Sequence, residues 1–340
     1  MTVKKLVIAA EVFSKNTGDQ VIYQCLRHMF LQLSPSLTVK PLDISGRSPD
    51  MRMDYMVQFG GLPSRLGYLA AHIMGSLVNY SLYRIYKNYP KHLNAWRPVL
   101  HNVDRVLIGG GQLFMDNRLD FPIKLFSLSR ELTSRKIPYY IGACGVGEHW
   151  SSLGRFLFAK VLKESAGITV RNSLSQQRLH KHLGDIQSQV TFDPAIWAAN
   201  VYPRIKMSPP EHLLMGLGVI NRHDVNLHLP LSKRFTAEAW MQLWLGLIAA
   251  LQSLQLPIEI FTSGTPADTR FAGELFTRAK TLGIKKIILA PDPVSPQQFV
   301  SILQAYTCVV ASRMHASIIA NAFSIPAIGL VWDEKVRAYY

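Results

Sequence analysis

Short apolar runs alternate with longer stretches of helical spacing along almost the whole chain, which is the pattern of parallel sheets joined by crossover helices. In the first half, Lys5 to Ala10, Thr38 to Leu42, Arg105 to Ile108, Tyr139 to Ala143, Ile168 to Val170 and Val190 to Phe192 read as strands. Between them, Asp19 to Leu33, Tyr68 to Tyr86, Phe121 to Ser134, Leu153 to Glu164 and Ser173 to Leu183 read as helices. Asn200 to Pro210 holds three prolines and little periodicity, so a linker is expected over 200–212. Beyond it, strands at Leu213 to Val219, Ile258 to Thr262, Lys286 to Leu289, Cys308 to Ala311 and Ala327 to Val331 alternate with helices at Thr236 to Leu254, Pro266 to Leu282 and Gln297 to Ala305. The expected fold class is α/β, with two Rossmann-like doubly wound domains over 1–199 and 213–340. Ligands of such folds sit at the carboxyl ends of the strands, so two facing units predict a cleft between them.

At 340 residues the chain exceeds the size at which a single core keeps growing, and 48% apolar residues suffice to fill two. A formal charge of +15 attracts anions at long range: nucleic acid, an acidic membrane face or phosphorylated metabolites. The basic residues are dispersed, and no zinc finger, basic zipper or RNP-type aromatic pattern is present, which argues against nucleic acid. A surface resting on anionic headgroups, or steering a multiply charged small molecule, fits better. Three widely spaced cysteines, Cys25, Cys144 and Cys308, form no CxxC pair and fit a reducing cytoplasm. Leu6 to Ala10 is too short for a signal peptide or a membrane span, while Tyr68 to Val78 and Trp240 to Leu254 read as core helices. His180 and His182 lie two apart on a helix and share no face, so no metal site is expected.

The stretch Ser312-Arg313-Met314-His315 follows the strand Cys308 to Ala311 and opens a helix, with Ser312 as the expected N-cap and both basic residues in the first turn. Unpaired N–H groups and the helix dipole there attract phosphate or carboxylate, and Arg313 adds a bidentate fork. The plainer reading is a buried histidine and a solvated arginine at an ordinary helix start. Gly109-Gly110-Gly111 follows another strand, either to bring backbone N–H groups close to a ligand or merely as a tight turn. Asn16-Thr17-Gly18-Asp19 follows the first strand; Asp19 is either an N-cap, the commoner fate, or a carboxylate aimed at a ligand. Arg171, Asp193 and Asn221-Arg222 also stand at strand ends, where polar residues collect in any case.

Taken in order, these motifs resemble the polysaccharide pyruvyl transferase family. The match runs from Asn16-Thr17-Gly18-Asp19 through Gly109-Gly110-Gly111 with Leu113 and Asp116. It continues over Val170-Arg171 with Ser175 and over Asp193-Pro194-Ala195 to Ser312-Arg313-Met314-His315-Ala316, then Ala320, Pro326 and Lys335. The resemblance implies a GT-B-like architecture, an acceptor-side first domain and a donor anion site in the second. It also implies phosphoenolpyruvate as donor substrate with no further cofactor, and as acceptor a sugar of a cell-surface polysaccharide or its lipid-linked precursor. The product would be a pyruvate ketal, formed in the cytoplasm, with peripheral contact on the inner membrane face as a further expectation.

On that reading Arg171 and Arg313 take the donor's carboxylate and phosphate, with Arg222 as a third candidate. His315 is the general acid and Asp19 the hydroxyl base or acceptor orienter. Asn16, Ser312 and the three glycines line the substrate, and Lys335 either neutralises phosphate or faces solvent. A GT-B glycosyltransferase using a sugar nucleotide, or an inactive homologue acting as a binding subunit, remain the alternatives. Three features depart from the family pattern. Thr262-Ser263-Gly264-Thr265 and Pro291-Asp292-Pro293 replace a basic or glycine-rich turn with its aspartate. Asn172 stands where an acidic residue is frequent. The chain stops at Tyr340, where family members normally continue into a closing helical segment, so a truncated or short version is expected.

Overall fold

The structure is a computed structural model describing residues 3–48, 91–116, 118–205, 213–253 and 255–340. The helix expected at Tyr68 to Tyr86 lies outside them. Within the described residues, every paired strand runs parallel to its neighbours. Strands buried on both faces need no polar alternation, which is why they read in the sequence as short continuous apolar runs.

The chain divides into two units: Met1–Phe13 with Leu26–Asp193, and Ser14–Cys25 with Pro194–Tyr340. The division falls at Asp193 and Pro194, ahead of the proline-rich stretch expected to link the domains. It also assigns Ser14–Cys25, early in the chain, to the second unit. Within that unit, both the amide and the Oγ1 of Thr17 donate to Ser263 O at 2.8 Å.

The first unit holds β1 (Lys5–Ala10), β2 (Thr38–Asp43), β3 (Arg105–Gly109), β4 (Tyr139–Cys144), β5 (Ile168–Val170) and β6 (Gln189–Val190), in the order β2-β1-β3-β4-β5-β6. Besides the helical residues 91–99, its helices are α1 (Thr17–Leu33), which starts in the second unit, α2 (Asp120–Ser134), α3 (Ser152–Glu164) and α4 (Ser173–Leu183). Val7, Ile108 and Val106 of the sheet pack with Trp96, Phe114, Leu125, Leu128 and Phe158 in one core. Asp116 ties the turn after β3 to α3: one carboxylate oxygen accepts from Leu119 N at 2.8 Å and the other from Ser151 N at 2.7 Å. Edge strand β6 is two residues long and ends before Phe192, which is 79% exposed, so the expected strand Val190 to Phe192 is clipped where no neighbour covers it.

In the second unit β7 (Met215–Gly218), β8 (Ile258–Phe261), β9 (Ile287–Leu289), β10 (Cys308–Ala311) and β11 (Ala327–Gly329) take the order β11-β10-β7-β8-β9. The helices are α5 (Ala198–Val201), α6 (Arg222–Leu227), α7 (Ala237–Gln252), α8 (Pro266–Thr281), α9 (Pro296–Gln304), α10 (Met314–Ala322) and α11 (Glu334–Tyr339). Trp240, Trp244 and Phe271 form the aromatic centre of its core, the two indoles 5.9 Å apart at 78°. Neither α6 nor α11 was expected, since six residues are too few for a periodicity to show.

Strand order fixes where ligands can sit. In the first sheet the order reverses between β1 and β3, so the loop Gly109 to Gln112 leaves the switch point. In the second it reverses between β7 and β10, which puts Asn221 and Arg313 on neighbouring loops.

Candidate functional site

The loop from β10 into α10 is built one residue later than the sequence suggests. Ser312 still belongs to the sheet edge: its amide donates to Gly218 O at 3.0 Å, its carbonyl accepts from Trp332 Nε1 at 2.8 Å and its side chain is buried. Arg313, not Ser312, therefore takes the N-cap position, with extended backbone at φ −84° and ψ 118°, and α10 begins at Met314. His315 follows as the second helical residue.

Arg313 is neither solvated nor open over its whole fork. Nε and Nη2 reach Asp268 Oδ2 at 2.8 and 2.7 Å, and Nη2 lies 2.5 Å from Asp224 Oδ2. Burial works against the guanidinium charge, and the Asp268 and Asp224 carboxylates outweigh it, so its pKa is raised. Burial likewise pushes the Asp268 carboxyl up, opposed by Arg313 and by Asn221. Asn221 donates to Asp268 Oδ1 through both its amide (2.8 Å) and its Nδ2 (2.7 Å), while its own Oδ1 caps α6 by accepting from Asp224 N at 3.0 Å. The switch-point loops are thus stitched into one rigid assembly that aims the guanidinium.

His315 meets the start of α1 within the same unit. Asp19 Oδ1 stands 3.7 Å from His315 Nδ1, and the two side chains are 25% and 13% exposed. Asp19 is not the N-cap. Asn16 fills that place, its Oδ1 accepting from Gly18 N at 3.2 Å. A Cβ on Gly18 would lie 2.8 Å from His315 Cβ and 2.9 Å from Nδ1, so the glycine is what lets the helix approach the ring.

Thr262-Ser263-Gly264-Thr265 and Pro291-Asp292-Pro293 pack at this helix start. Ser263 O receives the two Thr17 bonds, and Gly264, at φ +83°, leaves no room for a side chain beside Lys15 O and Pro293 O. Asp292 Oδ1 accepts from Thr269 Oγ1 at 2.6 Å and Thr262 Oγ1 at 3.2 Å.

In the first unit, Arg171 is buried, with Nη1 3.3 Å from Asp193 Oδ2 and Nη2 3.2 Å from Gln112 Oε1. Its Nε is also buried and has no hydrogen-bond partner among the described residues. Gly145 makes space for it, since a Cβ there would sit 2.7 Å from Nε. The glycine turn supplies fewer free donors than its composition promised. Gly110, at φ 77°, spends its amide on Gly142 O at 2.8 Å, and Gly111 O accepts from Gly145 N at 2.8 Å, so much of the motif ties β3 to β4. Neighbouring Cys144 is fully buried and its thiol is pushed up to about 12 by that burial, which keeps it protonated and inert.

Two expected site residues have other employment. Arg222 Nη1 donates to Phe235 O at 2.9 Å, and its side chain lines a groove of about 990 Å³ between α7 and α8. Lys335 Nζ lies 3.3 Å from Asp333 and 4.9 Å from the centroid of the Trp332 ring, at the corner that carries the Trp332 bond to Ser312. The structure thus brings Asn16, Asp19, Ser312, Arg313 and His315 together on the second unit, and Arg171 with the glycine turn on the first.

Asp224, Asp268 and Gln112 were missed. Carboxylates inside two helices carry no local mark of a distant arginine, although Asn221 before Asp224 was a legible cap. Also unforeseen is a charged group at the ends of β1 and β2, where Arg47 Nη2 meets Glu11 at 2.5 Å and Asp43 at 2.9 Å. Among the described residues no group of three or more His, Cys, Asp or Glu could hold a metal ion.

The family profile described as polysaccharide pyruvyl transferase matches residues 16–334 of this chain. Among curated proteins there is no match. Solved structures share the fold at low identity. The Staphylococcus aureus MnaA–UDP complex aligns at 12% identity over 97% of this chain and 80% of its own, with a TM-score of 0.54. UDP-GlcNAc 2-epimerase from Neisseria meningitidis bound to UDP-GlcNAc aligns at 14% over 98% and 85%, with a TM-score of 0.52. A glycosyltransferase from Rickettsia africae aligns at 10% over 97% and 79%, with a TM-score of 0.50. These likenesses establish a GT-B-like fold.

Proposed function

The chain belongs to the polysaccharide pyruvyl transferase family, and from that premise we propose that it moves the enolpyruvyl group of phosphoenolpyruvate onto two hydroxyls of one sugar, closing a pyruvate ketal and releasing phosphate. The acceptor class is a cell-surface polysaccharide or its lipid-linked precursor.

Ketal formation needs a proton delivered to the methylene carbon, which makes the next carbon cationic. One sugar hydroxyl adds there, phosphate leaves, and the second hydroxyl closes the ring. Of the two hydroxyl protons, one balances the methyl group and the other leaves on phosphate. We assign the first transfer to His315, which sits at a helix start where a dianion is favoured, with Asp19 Oδ1 3.7 Å from its Nδ1. Asp19 holds the ring and restores its proton from the attacking hydroxyl. Arg313, oriented by Asp224 and Asp268, offers the Nη1 edge of its fork to an anionic group.

The observation that carries this reading is the Asp19–His315 pair beside an arginine fixed by two carboxylates. Incubation with phosphoenolpyruvate and a panel of lipid-linked glycans tests it through phosphate release. His315→Gln is expected to abolish transfer while phosphoenolpyruvate still raises Tm; near-normal turnover in that variant removes His315 from the chemistry. Stabilisation by UDP- or GDP-sugars but not by phosphoenolpyruvate would instead point to glycosyl transfer.

A further inference from the structure

Helix α3 buries Gly154, Leu157, Phe158, Val161 and Leu162 against the first unit's core, and a polar opposite face would complete an ordinary amphipathic helix. Instead, that outer face exposes Phe156 by 56% and Leu153 by 36%, three residues apart and therefore side by side. Arg155, Lys160 and Lys163 are exposed around them, and Lys160 Nζ stands 5.8 Å from the centroid of the Phe156 ring.

The nearby acids are engaged elsewhere. Glu164 faces Arg130 at 3.9 Å and accepts from Thr133 Oγ1 at 3.3 Å, and Glu148 faces Arg178 at 3.6 Å. What remains is an aromatic and an aliphatic side chain flanked by three exposed cations of the same helix, Arg155, Lys160 and Lys163. A protein partner would have to match those cations with acids, whereas a bilayer with anionic headgroups supplies both the negative surface and an apolar layer just beneath it. Lysine stems lying along an aromatic ring suit the same depth.

We infer that the outer face of α3, with Leu153 and Phe156 inserted and Arg155, Lys160 and Lys163 on headgroups, is a docking surface for an anionic membrane. The inference stands independently of pyruvyl transfer, since none of these residues belongs to the site described above.

Flotation of the full chain with pure phosphatidylcholine vesicles, and with vesicles containing about one third phosphatidylglycerol, tests it. Binding is expected only to the anionic vesicles, with release at about 0.5 M salt. Replacing Lys160 and Lys163 together by alanine should weaken partitioning about 30-fold, and Phe156→Ser about tenfold or more. Phe156→Trp should show blue-shifted emission on mixing with anionic vesicles. All these positions are exposed, so unchanged far-UV circular dichroism is expected alongside. The inference is overturned if the vesicles do not bind, if Phe156→Ser partitions like the parent, or if the lysine pair governs retention on heparin but not on vesicles.

Discussion

Gly18 and His315 are in such close contact that a methyl group on the glycine would overlap the imidazole, 2.8 Å from Cβ and 2.9 Å from Nδ1. Both belong to helix starts, 297 positions apart in sequence, and the position of the ring is set by the absent side chain. Gly18→Ala should displace His315 while leaving the helix content intact, because alanine suits a helix better than glycine. Turnover is expected to fall at least tenfold with an unchanged far-UV spectrum. A fully active Gly18→Ala enzyme would mean that the ring does not need this placement.

Asp19→Asn separates the two roles weighed for this aspartate. Since Asn16 is the cap, the substitution should cost little stability, about 0.5 kcal/mol from the lost charge in the first turn. Turnover is expected to drop by about two orders of magnitude if the carboxylate serves proton transfer. Urea melts and kcat measured on the same preparation distinguish the outcomes.

Asp268 and Asp224 hold one guanidinium from unequal surroundings, their side chains 0% and 32% exposed. Asp268→Asn leaves Arg313 buried with its better partner gone, and a loss of about 3 kcal/mol is expected. Asp224→Asn should cost about 1 kcal/mol or less. Chemical denaturation ranks them, and the reverse ranking would show that Asp224 is the main anchor.

Gly145→Ala puts a methyl group 2.7 Å from Arg171 Nε. The expected loss is about 2 kcal/mol, in the range of overpacked sites. It should shrink sharply in an Arg171→Ala background, because the two substitutions act on one contact. Additive losses would place the clash elsewhere.

His92 lies against Trp96, ring centroids 5.4 Å apart, and its pKa is lowered from 6.5 to about 4, first by burial and then by the Lys124 charge. Between these values the unfolded chain binds the proton more readily than the native one. The stability tied to a neutral His92 is therefore complete above pH 6.5 and lost as pH falls toward 4. His92→Phe keeps a ring on Trp96 and removes the titration, so its stability should fall less steeply over that window in denaturation curves taken at several pH values. His182, lowered in the same direction, leaves a residual slope.

Much of the architecture was legible because parallel strands are buried on both faces and announce themselves as apolar runs. Thr38 to Leu42, Tyr139 to Ala143 and Cys308 to Ala311 each fall on an observed strand, and the expected helices that lie within the described residues, such as Phe121 to Ser134 and Ser173 to Leu183, end within a residue or two of the observed ones. The same local logic found His315 at a helix start and Arg171 at a strand end. It misjudged Ser312, whose side chain is buried and whose carbonyl is claimed by Trp332, 20 positions away.

The amino-acid order alone settled the two-sheet α/β plan, the turns that leave each switch point and the family, since these depend on short-range periodicity and on motifs that survive in linear form. Which side chains meet was decided only by folding. Arg313 reads as a free cation until α6 and α8 bring Asp224 and Asp268 to it. Asp19 reads as a cap until Asn16 takes that bond and α10 delivers His315. Charge pairing and desolvation act through space, over distances that no run of neighbouring residues records.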